Sequence, residues 1–111
     1  MQTQLLSEER IIKEGLANLQ KGAETVGGKL CMSNLRVIFE PHVINVQTSN
    51  VIFDVNKIVS VKPCWTKFLN IFPLLNNSIA VQTDTLEYKF VINNRNTWIE
   101  EIQRLIPSLM K

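Results

Sequence analysis

His42 is the only histidine in this chain of 111 residues, and the two cysteines, Cys31 and Cys64, are its only thiols. A nucleophilic site would need one of those thiols, or a serine, beside the imidazole, with an acid to orient the ring. Asp54 and Asp84 are acids of the right type, but nothing in the spacing ties them to His42. A metal site would need several converging ligands, and neither CxxC nor HxxxH spacing is present. Glu8-Glu9 and Glu100-Glu101 are adjacent carboxylates, which on a helix do not face each other, so they read as solvated surface. Gly27-Gly28 alone fits no nucleotide-binding loop. The chemistry-bearing residues therefore predict no catalytic residue, no metal and no cofactor. His42, after Pro41, reads as a polar turn residue, and Arg36 as a surface one.

One stretch stands out for the opposite reason. Cys64 to Leu75, CWTKFLNIFPLL, holds Trp65, Phe68, Leu69, Ile71, Phe72, Leu74 and Leu75 against a single charge, Lys67. So many large apolar groups exceed what a short loop buries, and the excess predicts an exposed patch for a protein partner, for self-association, or for shallow membrane insertion. One lysine gives little attraction to anionic head groups, which favours protein contact.

The balance of 12 basic and 10 acidic residues gives a net charge of +2, without the clustered basic face that nucleic acid requires. The hydrophobic share of 45% suits one globular domain spanning residues 1–111. The first residues carry no basic start followed by an apolar run, and the apolar stretch at 68–75 is short and broken by Asn70 and Pro73. The expectation is a cytoplasmic protein, possible at a membrane only as a peripheral one, with both thiols reduced.

The elements that must hold these residues follow from periodicity. Residues 1–9 read as a polar lead-in, with a helical turn begun by Ser7. Ile11 to Gln20 is a strand of imperfect alternation, with a bulge expected near Gly15. Leu30 and Met32 alternate with Lys29, Cys31 and Ser33, and Leu35, Val37 and Phe39 with Arg36, Ile38 and Glu40, on either side of a break at Ser33-Asn34, and Pro41 stops the second run. Further strands follow at 51–55, 58–62 and 79–83. Leu86, Tyr88, Phe90 and Ile92 alternate most cleanly. The period then changes. Trp98, Ile102, Leu105 and Leu109 mark an amphipathic helix over 94–106, capped by Asn93 or Asn94, with a Glu100–Arg104 pair on its wet face and Pro107 near its end. The strands at 10–92 and one helix predict a mainly β protein: a seven-stranded β-sandwich or partly open barrel capped by one C-terminal α-helix.

With that architecture, the piece GGKLCMSNLRVIFEPH at 27–42 resembles the GRAM family of the pleckstrin-homology-like superfold. Gly28, Leu30, Arg36 and Phe39 match the family pattern G-x-L-[YF]-x-T-x-x-R-[LIV]-x-F. Ser33 stands where Thr is usual and Cys31 where an aromatic is usual. The segment around Ile58 to Lys62, the run YKFVI at 88–92 and NNRNTWIEEI at 93–102 match in order. The resemblance implies a binding module, not an enzyme, linked to protein partners or membrane lipids. In the lipid-binding branch, basic residues near the first hairpin hold phosphates. The corresponding loop here, 20–28, offers Lys21, with Lys29 at the start of the next strand and Lys67 farther on, for anionic or phosphoinositide lipid. Glu24 in that loop would repel a phosphate.

Overall fold

The computed structural model describes residues 3–21, 24–43, 49–64 and 78–106, the side chains of Lys21 and Glu24 excepted. Seven antiparallel strands form one sheet: β1 (Ile11–Lys21), β2 (Glu24–Ser33), β3 (Arg36–Pro41), β4 (Val51–Asp54), β5 (Ile58–Cys64), β6 (Ser78–Thr83) and β7 (Glu87–Ile92). A 3₁₀ turn, Val55–Lys57, joins β4 to β5, and α1 (Arg95–Leu105) ends the described chain. The strand order is β4-β3-β2-β1-β7-β6-β5. The two halves of the sandwich therefore share β1, whose Gly15–Leu19 stretch pairs with Leu30–Val26 while Ala17–Gln20 pairs with Ile92–Lys89 on its other side. The sheet does not close, because β4 and β5 remain its edges.

The alternation explains the core. Leu30, Met32, Val37, Phe39, Ile79, Val81, Phe90 and Ile92 face inward and are buried. Phe39 and Phe90 meet across it with ring centroids 5.8 Å apart. From α1, Trp98 and Ile102 close the interior, joined by Ile106 just past the helix. Trp98 lies over Gly15 and under the ammonium of Lys13, which stands 5.4 Å from the ring centroid. Gly28 is the residue that lets β2 and β3 pack. A Cβ there would sit 2.4 Å from the Glu40 carbonyl oxygen and 2.7 Å from Phe39 Cζ, so no side chain fits.

Several expectations are corrected. The parity switch in β1 lies between Ile11 and Lys13, not at Gly15, which pairs regularly with Leu30. Most of 20–28 is strand: β2 begins at Glu24, so Lys29 sits inside β2 rather than at its start. β5 runs on through Pro63 to Cys64, which the sheet tolerates because β5 is an edge and a missing N–H leaves no ladder position empty. Leu86 belongs to the β6–β7 turn and is exposed, not the first inward residue of β7. Ser7 and Glu8 form a turn closed by Glu9 N–H donating to the Leu6 carbonyl, not a helical start. Asn94 is the N-cap, but in the left-handed conformation (φ 59°) and without a side-chain bond to the helix. Arg104 pairs with Glu101 at 2.7 Å, three residues away, instead of with Glu100.

Candidate functional site

Pairing brings three connections to one end of the sheet. Gln20 lies opposite Thr25 and opposite Lys89, so the β1–β2 turn and the start of β7 are neighbours. His42, where the β3–β4 connection begins, donates its N–H to the Gly27 carbonyl at 3.0 Å. The end of β5, the start of β6 and α1 lie at the other end, where Arg95 Nη1 donates to the Cys64 carbonyl at 3.3 Å.

On the outer face of β1, β2 and β7 lies an open groove of about 340 Å³, lined by Leu16, Asn18, Gly27, His42, Val91 and Asn93 among others. Leu16 is 72% exposed. Gly27 keeps the groove floor low: a Cβ there would meet Asn18 Oδ1 at 3.1 Å and His42 Cδ2 at 3.5 Å. The lining is apolar and neutral-polar, with no lysine or arginine among those residues. A second cleft, about 460 Å³, opens between β4 and the β6–β7 turn. Its wall is the stacked pair Phe53 and Tyr88, 4.9 Å between centroids, and its cation, Lys57, faces Asp84 at 3.7 Å.

Five of the nine lysines and arginines with described side chains stand beside acids: Lys29, Arg36, Lys57, Lys89 and Arg104. Lys29, one of the candidate lipid contacts, points to the outer face and stands 3.3 Å from Glu14. Lys89 lies 3.9 Å from Glu87. The side chain of Lys21 and all of Lys67 lie outside the described residues, as do Trp65, Phe68, Leu69, Ile71, Phe72, Leu74 and Leu75. Among the described residues there is no group of histidine, cysteine, aspartate or glutamate that could hold a metal ion. Nor is any helix there long and apolar enough to cross a membrane. Cys31 and Cys64 are not joined in a disulfide. Cys31 is fully buried, its thiol donating to Glu14 Oε2 at 3.7 Å. Burial first, then the Glu14 charge, push that thiol up to about 11, so it is inert at neutral pH.

The most developed polar arrangement is one that sequence reasoning missed. Glu9 and Arg36 are not surface residues. The Glu9 side chain has no exposure, and Arg36 retains 12%. Arg36 donates from Nε to Glu9 Oε2 at 2.9 Å and from Nη2 to Oε1 at 2.7 Å, a bidentate pair. The Ser33 hydroxyl donates to Oε2, and the Leu6 N–H donates to Oε1 at 2.8 Å. Ser33 Oγ in turn accepts from the N–H groups of Leu35 and Arg36, shaping the β2–β3 turn. Four donated bonds fill the carboxylate. The Arg36 bond, with help from Ser33 and Leu6, outweighs burial and holds Glu9 at about 2, well below its ordinary 4.5. Serine and arginine three apart beside a polar turn were the visible half of the arrangement; the acid, in the lead-in, carried no signal of its own.

A continuous sheet with a C-terminal helix docked over one end defines a pleckstrin-homology-like domain. The GRAM domain family model matches residues 1–110, and the chain belongs to that family. Solved structures agree on the fold. The C-terminal domain of an unknown protein from Leishmania infantum is 13% identical, with 89% of this chain and 85% of that one covered at a TM-score of 0.68. The N-terminal PH domain of human ARAP2 is 14% identical, covering 97% and 87% at 0.66. The Vps36 N-terminal PH domain is 12% identical, covering 95% and 84% at 0.69. Comparison with curated protein sequences finds no match. Identities this low speak for the fold alone, and domains of this kind are in general non-catalytic binding modules.

Proposed function

We propose that this GRAM domain is a non-catalytic binding module acting through protein contacts, self-association included. The apolar residues Trp65, Phe68, Leu69, Ile71, Phe72, Leu74 and Leu75, between β5 and β6, would carry the contact. The observation that weighs most is the neutral character of the described surface. The groove on β1, β2 and β7 is lined by no lysine or arginine, and Lys29, Lys57 and Lys89 each stand beside a carboxylate. A phosphate would have to compete with Glu14 for Lys29, and the dense basic cradle of a phosphoinositide site is not built from these residues. Exposed apolar groups at Leu16, Val43 and Leu86 give the surface further grip for a protein.

Light scattering across a concentration series tests self-association: a rising mass, abolished by Phe68→Glu or Phe72→Glu, is the expected result. A monomer at every concentration leaves an external protein as the partner. Co-sedimentation with anionic vesicles at low salt, weakening as salt is added, would instead favour lipid contact through Lys21, Lys29 and Lys67 and overturn the protein-contact reading.

A further inference from the structure

We propose that residues 3–8 form a releasable strap over the outer face of β2, β3 and β4, anchored at Glu9 and detaching from its Thr3 end. Cys31 and Ile38 point to that outer face, away from the core that Leu30 and Phe39 fill, yet both have 0% exposure. The cover of Ile38, which pairs with Cys31, follows from the hydrogen bonds on either side of it. Thr3 donates from its N–H at 2.7 Å and from its hydroxyl to Glu40 Oε2, beyond Ile38 on β3. The Gln4 carbonyl accepts from Arg36 Nη2 at 3.1 Å, on the other side of Ile38. The segment therefore runs along β3 across Ile38.

Its two ends are held unequally. At the Glu9 end the buried ion pair is joined by three bonds between residues 8–10 and Asn34: Arg10 N–H to Asn34 Oδ1 at 2.7 Å, Asn34 Nδ2 to the Glu8 carbonyl at 3.2 Å, and Asn34 N–H to the Arg10 carbonyl at 3.1 Å. At the Thr3 end, among the described residues, stand the two partly buried Glu40 bonds and a long, exposed 3.4 Å contact from Asn50 Nδ2. Leu5 and Leu6, in the middle, are 40% and 52% exposed, so the strap buries little apolar surface of its own. Between the strap and its anchor, Glu8 sits at φ 64°, a conformation that costs an L-residue of this kind free energy and is relieved when the turn opens. A segment with few apolar contacts, solvent-accessible bonds and a strained hinge opens well before the domain unfolds. Opening uncovers Ile38 beside its pairing partner Ile52, already 43% exposed, and so presents a second apolar surface.

Cys31 reports the opening. The experiment is alkylation of the full chain with N-ethylmaleimide at neutral pH, with Cys31 separated from Cys64 by peptide mapping, over a urea series below the unfolding transition. It is run on the parent, Thr3→Val and Glu40→Gln. A lifting strap gives Cys31 labelling with a urea dependence much shallower than that of global unfolding, and each variant speeds it about tenfold while keeping the shallow slope. Labelling that follows the global unfolding slope, or rates that neither variant changes, overturns the proposal.

Discussion

Arg36 grips the carboxylate of Glu9 with two hydrogen bonds, 2.9 and 2.7 Å long, across 27 residues of sequence. The pair ties the segment before β1 to the turn between β2 and β3. With Ser33 it makes one unit of three polar side chains that share a single buried carboxylate. Arg36, one of the residues by which the chain resembles its family, and Ser33, which stands where Thr is usual there, are thus occupied in holding the fold together, and their polarity is not free to recognise a ligand.

The acid side of the stability curve should carry the mark of this pair. Glu9 is held at about 2 against an ordinary 4.5, so its contribution is complete above pH 4.5 and is lost as pH falls toward 2. That interval corresponds to about 3 kcal/mol. Urea unfolding at pH 6, 4 and 2.5 should show a decline in the parent that is much reduced in Glu9→Gln. The substitution itself should cost about 3–5 kcal/mol at pH 6, because it strands the Arg36 guanidinium without its counter-charge. An equal decline in both proteins would place the acid sensitivity elsewhere.

Trp98→Ala should destabilise by about 3–5 kcal/mol. The indole is 3% exposed, packs over Gly15 and lies beneath Lys13, so its removal opens the junction between α1 and β1. Thermal melts of the variant should fall by many degrees. Lys13→Ala, which removes the half-buried lysine over the ring, should cost about 1 kcal/mol or less.

What the sequence made legible were features written in a local period. The inward faces of β3 and β7 and the Trp98–Ile102 stripe of α1 repeat every two or every three to four residues, and burial follows them. The stop at Pro41 was equally local. Failures came where a partner remote in sequence decides. Glu9 looks like any surface acid until Arg36 and Ser33 are brought to it. Pro63 looks like a strand end until β5 proves to be an edge. Ile38 sits at an outward position and is buried, although its parity alone would have put it in water. The expected apolar contact residues at 65–75 lie outside the described structure, so the proposed function still rests on composition there.

Asn94 separates a local conformational preference from a capping bond. With φ 59° and no side-chain bond to the helix, it earns its place by tolerating the left-handed region rather than by capping α1. Asn94→Gly should therefore leave stability within about 0.5 kcal/mol of the parent, while Asn94→Ala loses about 1 kcal/mol. If the alanine variant matched the parent in denaturant midpoint, the backbone at this position would not be left-handed in solution.

Gly28 and Gly15 test the packing of the two hairpins in opposite directions. At Gly28 an added methyl meets three obstacles: the Glu40 carbonyl oxygen at 2.4 Å, Phe39 Cζ at 2.7 Å and Pro41 Cα at 2.9 Å. Two of the three are backbone atoms of the paired strand, so relief requires β2 and β3 to move apart along the Gly28–Pro41 pairing. At Gly15 the nearest atom is Trp98 Cζ2 at 3.7 Å, an ordinary contact distance. Overpacking in a buried sheet costs about 1–3 kcal/mol, and the immovable neighbours put Gly28→Ala at the upper end of that range. Gly15→Ala should change stability by less than about 1 kcal/mol and can raise it, because alanine loses less backbone freedom on folding. Urea midpoints for the two variants should therefore fall on opposite sides of a 1 kcal/mol loss. A mild Gly28→Ala would mean that β3 already stands farther from β2 in solution than the pairing of Gly28 with Pro41 requires.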